Sequence, residues 1–346
     1  MVNAKLITVD CNLTAETKSL YKYLQNINEN QILFGHQNTT TQGMTINKLD
    51  GTQSDCYDTI GDYPAVYGWD FVDGWDFAEH VTKAYERGGI NTFSDHMFNF
   101  VTAKDFYDTT KAVAEILPGG SKHQEYKQYL DRTSNFFKSL KGKDGKLVPI
   151  IYRPFHENNG SWFWWGADFC TVEEYKAIFR FTVEYLRDEK KTHNLLYAYS
   201  PNGHFDGVED YLERYPGDDY IDVIGMDSYG FDLEWQSKLM NDLEIIVQIA
   251  ENRGKVAALT EVGIADSMKA IGEEKRDNWY MDLLEAIKSN QQARQIKFLL
   301  VWRNGAPDHF WVPYGEHEMK ADFIKFYQDR ITIFNGNLDF ERVYKN

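Results

Sequence analysis

Eight short apolar runs, each closing on polar or aromatic residues, limit what this chain can fold into. They are QILFGHQ (31–37), AVYGWD (65–70), INTFSDH (90–96), LVPIIYRPFHE (147–157), NLLYAYSP (194–201), DVIGMDSYG (222–230), VAALTEVG (256–263) and KFLLVWRN (297–304). Runs that are apolar throughout, rather than alternating, suit parallel strands buried on both faces. Helical patterns fall between them. Residues 76–87 place Phe77, Val81, Ala84 and Tyr85 on one stripe before Gly88. Thr171 to Glu174 reads as a capping box opening a helix to about residue 188. Further helices are expected at 234–253, closed by Gly254, and at 276–289 and 318–330, with an extra N-terminal helix at 14–29. This alternation predicts an α/β chain forming a (β/α)8 TIM barrel. A doubly wound open sheet is the rival, but GHQNTTTQG after the first strand lacks the GxGxxG phosphate turn. With no linker or internal repeat in 346 residues, one catalytic domain over 1–346 is expected. The connections 38–64 and 97–120 are read as long, mostly non-helical loops on the C-terminal face, where such barrels build their sites.

Composition removes several function classes. A net charge of −16 with no Lys/Arg cluster leaves nothing to neutralise a phosphate backbone, so nucleic acid is not an expected partner. No run of 18 apolar residues exists, so no membrane-spanning helix is expected. Cys11, Cys56 and Cys170 lack CxxC spacing, and free or buried thiols are expected, with one disulfide left open. The opening MVNAKLITVD has no signal-peptide pattern. Two readings stay open: a secreted, periplasmic or cell-surface protein whose signal has been removed, or a cytoplasmic one. A monomer is expected.

The chemistry gathers at the strand ends. Strand one delivers His36 and Gln37, strand two Trp69 and Asp70, and strand three Asp95 and His96. Strand four delivers Arg153, His156 and Glu157, strand six Asp227 and Tyr229, strand seven Glu261, and strand eight Trp302, Arg303 and Asn304. Polar groups at these positions read as functional. Glu157 and Glu261 stand out, because two facing carboxylates are what glycosidic cleavage needs: one protonates the departing oxygen, the other attacks or activates water. Taken singly, either Glu could equally pair with a neighbouring Arg. The aromatics favour the first reading. Sugar rings present flat C–H faces that pack on aromatic rings. Trp162, Trp164 and Trp165 follow Glu157, and one or two of them are expected to be core. His36, His96 and His156 admit a zinc reading, but there is no HxH pair after strand one and no Lys at the end of strand four. No metal and no cofactor are expected, and His36 reads as structural.

The segments FGHQ, YGWD, RPFHENNGSWFWWG, MDSYG and LTEVG resemble glycoside hydrolase family 26, from ILFGHQ to VWRNG. The resemblance implies a retaining hydrolase of β-1,4-mannan acting on polysaccharide or manno-oligosaccharide. Glu157 would be the acid/base, Glu261 the nucleophile, and Tyr229 a hydrogen-bond donor to that nucleophile. His156 would orient the acid. Trp162, His96 and Trp302 would line the subsite of the distorted sugar, and Arg303 would contact the next sugar out. Within the family, β-1,3-xylanase, mixed-linkage β-glucanase or exo-acting release of mannobiose are alternatives. A non-catalytic carbohydrate-binding barrel is a further one, disfavoured by the intact carboxylate pair. Retention predicts carboxyl groups about 5–5.5 Å apart, inversion about 6.5–9.5 Å.

Overall fold

The computed structural model describes residues 7–270 and 278–345. Eight strands appear where the apolar runs placed them: β1 (Ile32–Gln37), β2 (Val66–Asp70), β3 (Ile90–Asp95), β4 (Ile150–Pro154), β5 (Leu195–Tyr199), β6 (Val223–Tyr229), β7 (Val256–Gly263) and β8 (Phe298–Val301). All pair in parallel, in sequence order, and β1 pairs with both β2 and β8 to close the ring. This is the (β/α)8 barrel the alternation predicted. Every strand but β6 is buried along its whole length, and β6 is half-buried only at Tyr229, as expected of strands with packed layers on both faces. A two-residue strand, β9 (Thr332–Ile333), runs beside β1 outside the ring.

The helices follow their local signals. Thr171 Oγ1 accepts from Glu174 N at 3.2 Å while Glu174 Oε2 accepts from Thr171 N at 2.8 Å, so the capping box forms as read. That helix covers Val172–Glu184 and ends in a single π turn, Tyr185–Glu189. Leu233–Arg253 stops at Gly254, whose φ of 65° is the left-handed conformation glycine adopts freely at a helix end. The N-terminal helix is Ala15–Asn26, and the others expected are Ala78–Glu86, Trp279–Ser289 and Lys320–Gln328. The first residues of the helix expected from 276 lie outside the described ones. Short helices not expected from the sequence are Asp55–Ile60, Val113–Ile116, Val208–Leu212 and Phe340–Tyr344, and the longest unexpected one is His123–Ser139, between β3 and β4. Its inward stripe of Tyr126, Leu130 and Phe137 is interrupted by Thr133 and Ser134, which are buried too. They are satisfied by Tyr129 O at 3.1 Å and by the Thr192 hydroxyl at 2.7 Å. No described helix is long and apolar enough to cross a membrane, and the three cysteines are free thiols.

Strands β4 and β8 stop three residues sooner than the sequence suggested, and β5 two. β4 ends at Pro154 and β8 at Val301, so Glu157 and Trp302 stand on the loops just beyond. At β4 the reason is local. Phe155 and Glu157 have φ of 53° and 52°, a left-handed conformation that takes the chain off the ladder and that non-glycine residues adopt rarely. The long loops are tied down internally. Asn99 serves as a hub in the loop after β3, donating to Asp108 O and Thr110 O at 2.8 and 2.7 Å. In the loop after β1, Asp55 accepts from Met44 N and Thr45 N at 2.8 and 2.7 Å, and also from Asn304 Nδ2, beyond β8, at 2.7 Å.

Candidate active site

Glu261 lies on β7, opposite Asp227 of β6, at the point where the register between the two strands shifts. The side chain is buried, and both its oxygens carry donors. Arg153 Nη2 donates to Oε1, and the Tyr229 hydroxyl donates to Oε2 at 2.7 Å. The same guanidinium donates through Nη1 to Asp227 Oδ2 at 2.7 Å and to Ser200 Oγ at 3.0 Å. The Thr260 hydroxyl, at 2.7 Å, completes Asp227. A cation thus sits between two buried carboxylates, which is what keeps buried acids tolerable.

Glu157 is held differently. Its amide donates to Ser200 O at 2.7 Å, and its Oε2 accepts one neutral bond, from Trp162 Nε1 at 2.7 Å. Burial pushes its carboxyl up to about 7, the Glu261 charge adds to this, and the Trp162 bond opposes it. One carboxylate oxygen from each of Glu157, Asp227 and Glu261 falls within 4.8 Å of the others.

The histidines form a chain. His96 Nδ1 meets Asp70 Oδ2 at 2.5 Å, and His96 Nε2 meets His156 Nε2 at 3.1 Å. Burial works against a charge on His96, but the Asp70 carboxylate outweighs it and raises the ring above its ordinary value. His156 goes well below, through burial, then Arg153 and His96. The surroundings thus favour the charged form of His96 and the neutral form of His156. His156 lines the cavity beside Glu157, with its Nε2 against His96. What fixes the segment around it is Trp165, whose Nε1 donates to His156 O at 2.7 Å.

The three tryptophans divide accordingly. Trp164 and Trp165 are fully buried, and Trp164 Nε1 donates to Met97 O at 2.9 Å, so both anchor the loop. Trp162 is 36% exposed and faces the cleft. Gly160 lies beneath it: a Cβ there would come 2.4 Å from the Trp162 ring, which would have to move. Trp302, half-buried, stands 5.8 Å from the His96 ring. Arg303 is turned toward the loops after β1 and β2, donating to Gln42 Oε1 and Asp73 Oδ1 at 3.1 and 3.3 Å. His36, buried against Thr39, does not join His96 and His156. Among the described residues, the acids 157, 227 and 261 form the one group whose spacing suits a metal, and there a cation would have to displace the Arg153 guanidinium.

Around the two glutamates is a cavity of about 320 Å³, lined also by Tyr107, Asn202, His309 and Trp311. Sequence reading singled out none of these four: Asn202 lies just beyond β5, and Tyr107, His309 and Trp311 lie farther along their loops. Tyr107 is 61% exposed and stacks on Phe163.

A barrel whose mouth holds two close carboxylates, one hydrogen-bonded to a cation and one to a tryptophan in an aromatic cleft, has the layout of a barrel glycoside hydrolase. The chain belongs to glycosyl hydrolase family 26, which matches residues 9–301. It is 38% identical to a mannan endo-1,4-beta-mannosidase of Bifidobacterium adolescentis over 92% of this chain and 34% of that protein. The chain thus spans about a third of that relative's length. Among solved structures, it resembles the catalytic domain of a Bacillus sp. JAMB-750 endo-beta-1,4-mannanase (38% identity, 98% of this chain, 96% of that one, TM-score 0.94). A Cellulomonas fimi endo-beta-1,4-mannanase is equally similar (38% identity, 99% of this chain, 80% of that one, TM-score 0.93).

Proposed function

We propose that this chain hydrolyses internal β-1,4-mannosidic bonds of mannan, glucomannan or galactomannan with retention of configuration. The observation that carries this reading is the contrast between the two acids within 4.8 Å of each other. Glu157, raised to about 7, keeps a proton to give to the departing oxygen near neutrality. Glu261, hydrogen-bonded by Arg153 and Tyr229, is held in place to attack the anomeric carbon. So close an approach of their oxygens supports retention, in which the second acid attacks directly, over inversion, which needs room for a water. After the leaving group departs, Glu157 takes a proton from water, which attacks the glycosyl–Glu261 ester. Trp162, His96 and Trp302 line the subsite of the reacting sugar, with Arg303 further out. A polysaccharide does not cross membranes, so the reading also places the protein outside the cytoplasm.

The test is a digest of mannohexaose followed in time, with proton NMR of the first-formed anomer. The expected outcome is several internal products, released first as the β-anomer. Mannobiose as the sole early product would replace endo by exo attack. Inactivity on mannan with turnover of β-1,3-xylan or mixed-linkage glucan would replace the substrate.

A further inference from the structure

The ladder between β4 and β5 ends at Tyr152 opposite Tyr197, well before Glu157. Something else has to hold the acid, since a shift of about 1 Å in a reacting group costs roughly a hundredfold in rate. Residues 157–160 close a tight turn, with Gly160 N donating to Glu157 O at 3.0 Å. Asn159 stands at its tip, exposed. Both ends of its amide are nevertheless committed to one residue. Asn159 Nδ2 donates to Asn202 O at 2.7 Å, and Asn202 N donates to Asn159 Oδ1 at 2.8 Å. The pair copies the two-way exchange of an antiparallel ladder, with a side-chain amide in place of a second strand. Together with the Glu157 amide on Ser200 O, three bonds cross from the turn to the residues just beyond β5.

The shelf they rest on is itself tied down. Asp227 N donates to Pro201 O at 3.0 Å and Gly203 N donates to Asp227 O at 2.9 Å, so Asn202 is bridged to β6 on both sides. Beyond it, the buried Asp242 of helix Leu233–Arg253 accepts from Phe205 N at 3.0 Å and meets His204 Nδ1 at 2.6 Å. Asp227 is also the residue whose carboxylate holds the Arg153 guanidinium that donates to Glu261. Both acids are thus referred to one strand position. Glu261 depends on the side chain of Asp227, and Glu157 on its backbone, through Asn202. Trp162 does not replace this support, because it grips only the carboxylate and is itself 36% exposed.

We infer that Asn159 is a positioning residue for the acid, whose reciprocal bonds with the Asn202 backbone hold the Glu157 carboxyl at the departing oxygen. Asn159 does not line the cavity, so it acts through Glu157. This rests on the proposed function, which gives the proton to Glu157.

The test compares mannohexaose, whose departing oxygen needs a proton, with dinitrophenyl β-mannobioside, whose dinitrophenolate leaves without one. N159A is expected to lower kcat/KM on mannohexaose by about tenfold or more, and on the mannobioside by less than about threefold. N159D keeps the acceptor for Asn202 N and loses the donor, and its ratio is expected to fall between those of the wild type and N159A. In the E157A background, N159A is expected to change neither rate further, because the group it positions is gone. A ratio unchanged in N159A, whether both substrates keep their rates or lose them together, overturns the inference. So does a full further loss when N159A is added to E157A. Where N159A does not fold, as read by circular dichroism, N159D decides by the same ratio. A separation of the two substrates by E157A but not by N159A fails the inference alone. Should E157A itself not separate them, the proposed function has failed and takes the inference with it. Should the wild type hydrolyse neither mannoside, the mannan reading has failed, and cellohexaose with dinitrophenyl cellobioside decides Asn159 by the same ratio.

Discussion

Glu157 and Glu261 bring oxygens within 4.8 Å of each other and are supported in opposite ways. Glu261 belongs to a strand, with an arginine on one oxygen and a tyrosine on the other. Glu157 belongs to a loop, in a left-handed backbone conformation, with a single indole N–H on its carboxylate. Strand placement fixes one group between an arginine and a tyrosine. Loop placement carries the other just past the ladder, where burial favours the neutral form. On the proposed reaction, identical side chains take different duties from their surroundings alone.

The comparison breaks most severely at Glu261. Glu261→Ala should lower kcat on mannan by about 10⁴-fold or more, with mannohexaose affinity, read by calorimetry, within a few-fold of wild type. Near-normal turnover would remove Glu261 from the chemistry. Glu157→Ala should cost about 10²- to 10⁴-fold on mannan, yet less than tenfold in the first step on dinitrophenyl mannobioside, whose leaving group needs no proton. Equal losses on both would mean that Glu157 supplies something other than a proton. The smallest effect concerns pH. The working form of Glu157 is protonated, so kcat/KM should fall as pH rises through about 7. The Trp162 N–H favours the carboxylate, and its loss in Trp162→Phe should move that limb upward by about half a unit to one unit. A downward move would reverse the role given to the indole.

Much of the barrel was legible because fully buried parallel strands leave continuous apolar runs, and Thr171 and Gly254 mark helix ends by their own chemistry. His123–Ser139 escaped because Thr133 and Ser134 occupy buried positions by hydrogen bonding, which hydrophobic periodicity does not register. The two glutamates could be read because barrel topology brings strand ends together however far apart they are in sequence. The bond between His96 and His156 could not, since ring orientation is set by packing. Tyr107 and His309 were out of reach for another reason: they occupy loops whose course depends on hubs such as Asn99 and Asn304.

Asn304 has a consequence for anyone rebuilding the cleft. Its amide nitrogen binds both Val312 O, in its own loop, and the Asp55 carboxylate, which gathers the loop after β1. The two segments are thus one mechanical body. A graft that exchanges either alone leaves a buried carboxylate or a buried amide without its counterpart. Retailoring substrate preference on this scaffold therefore requires transplanting both loops as a pair.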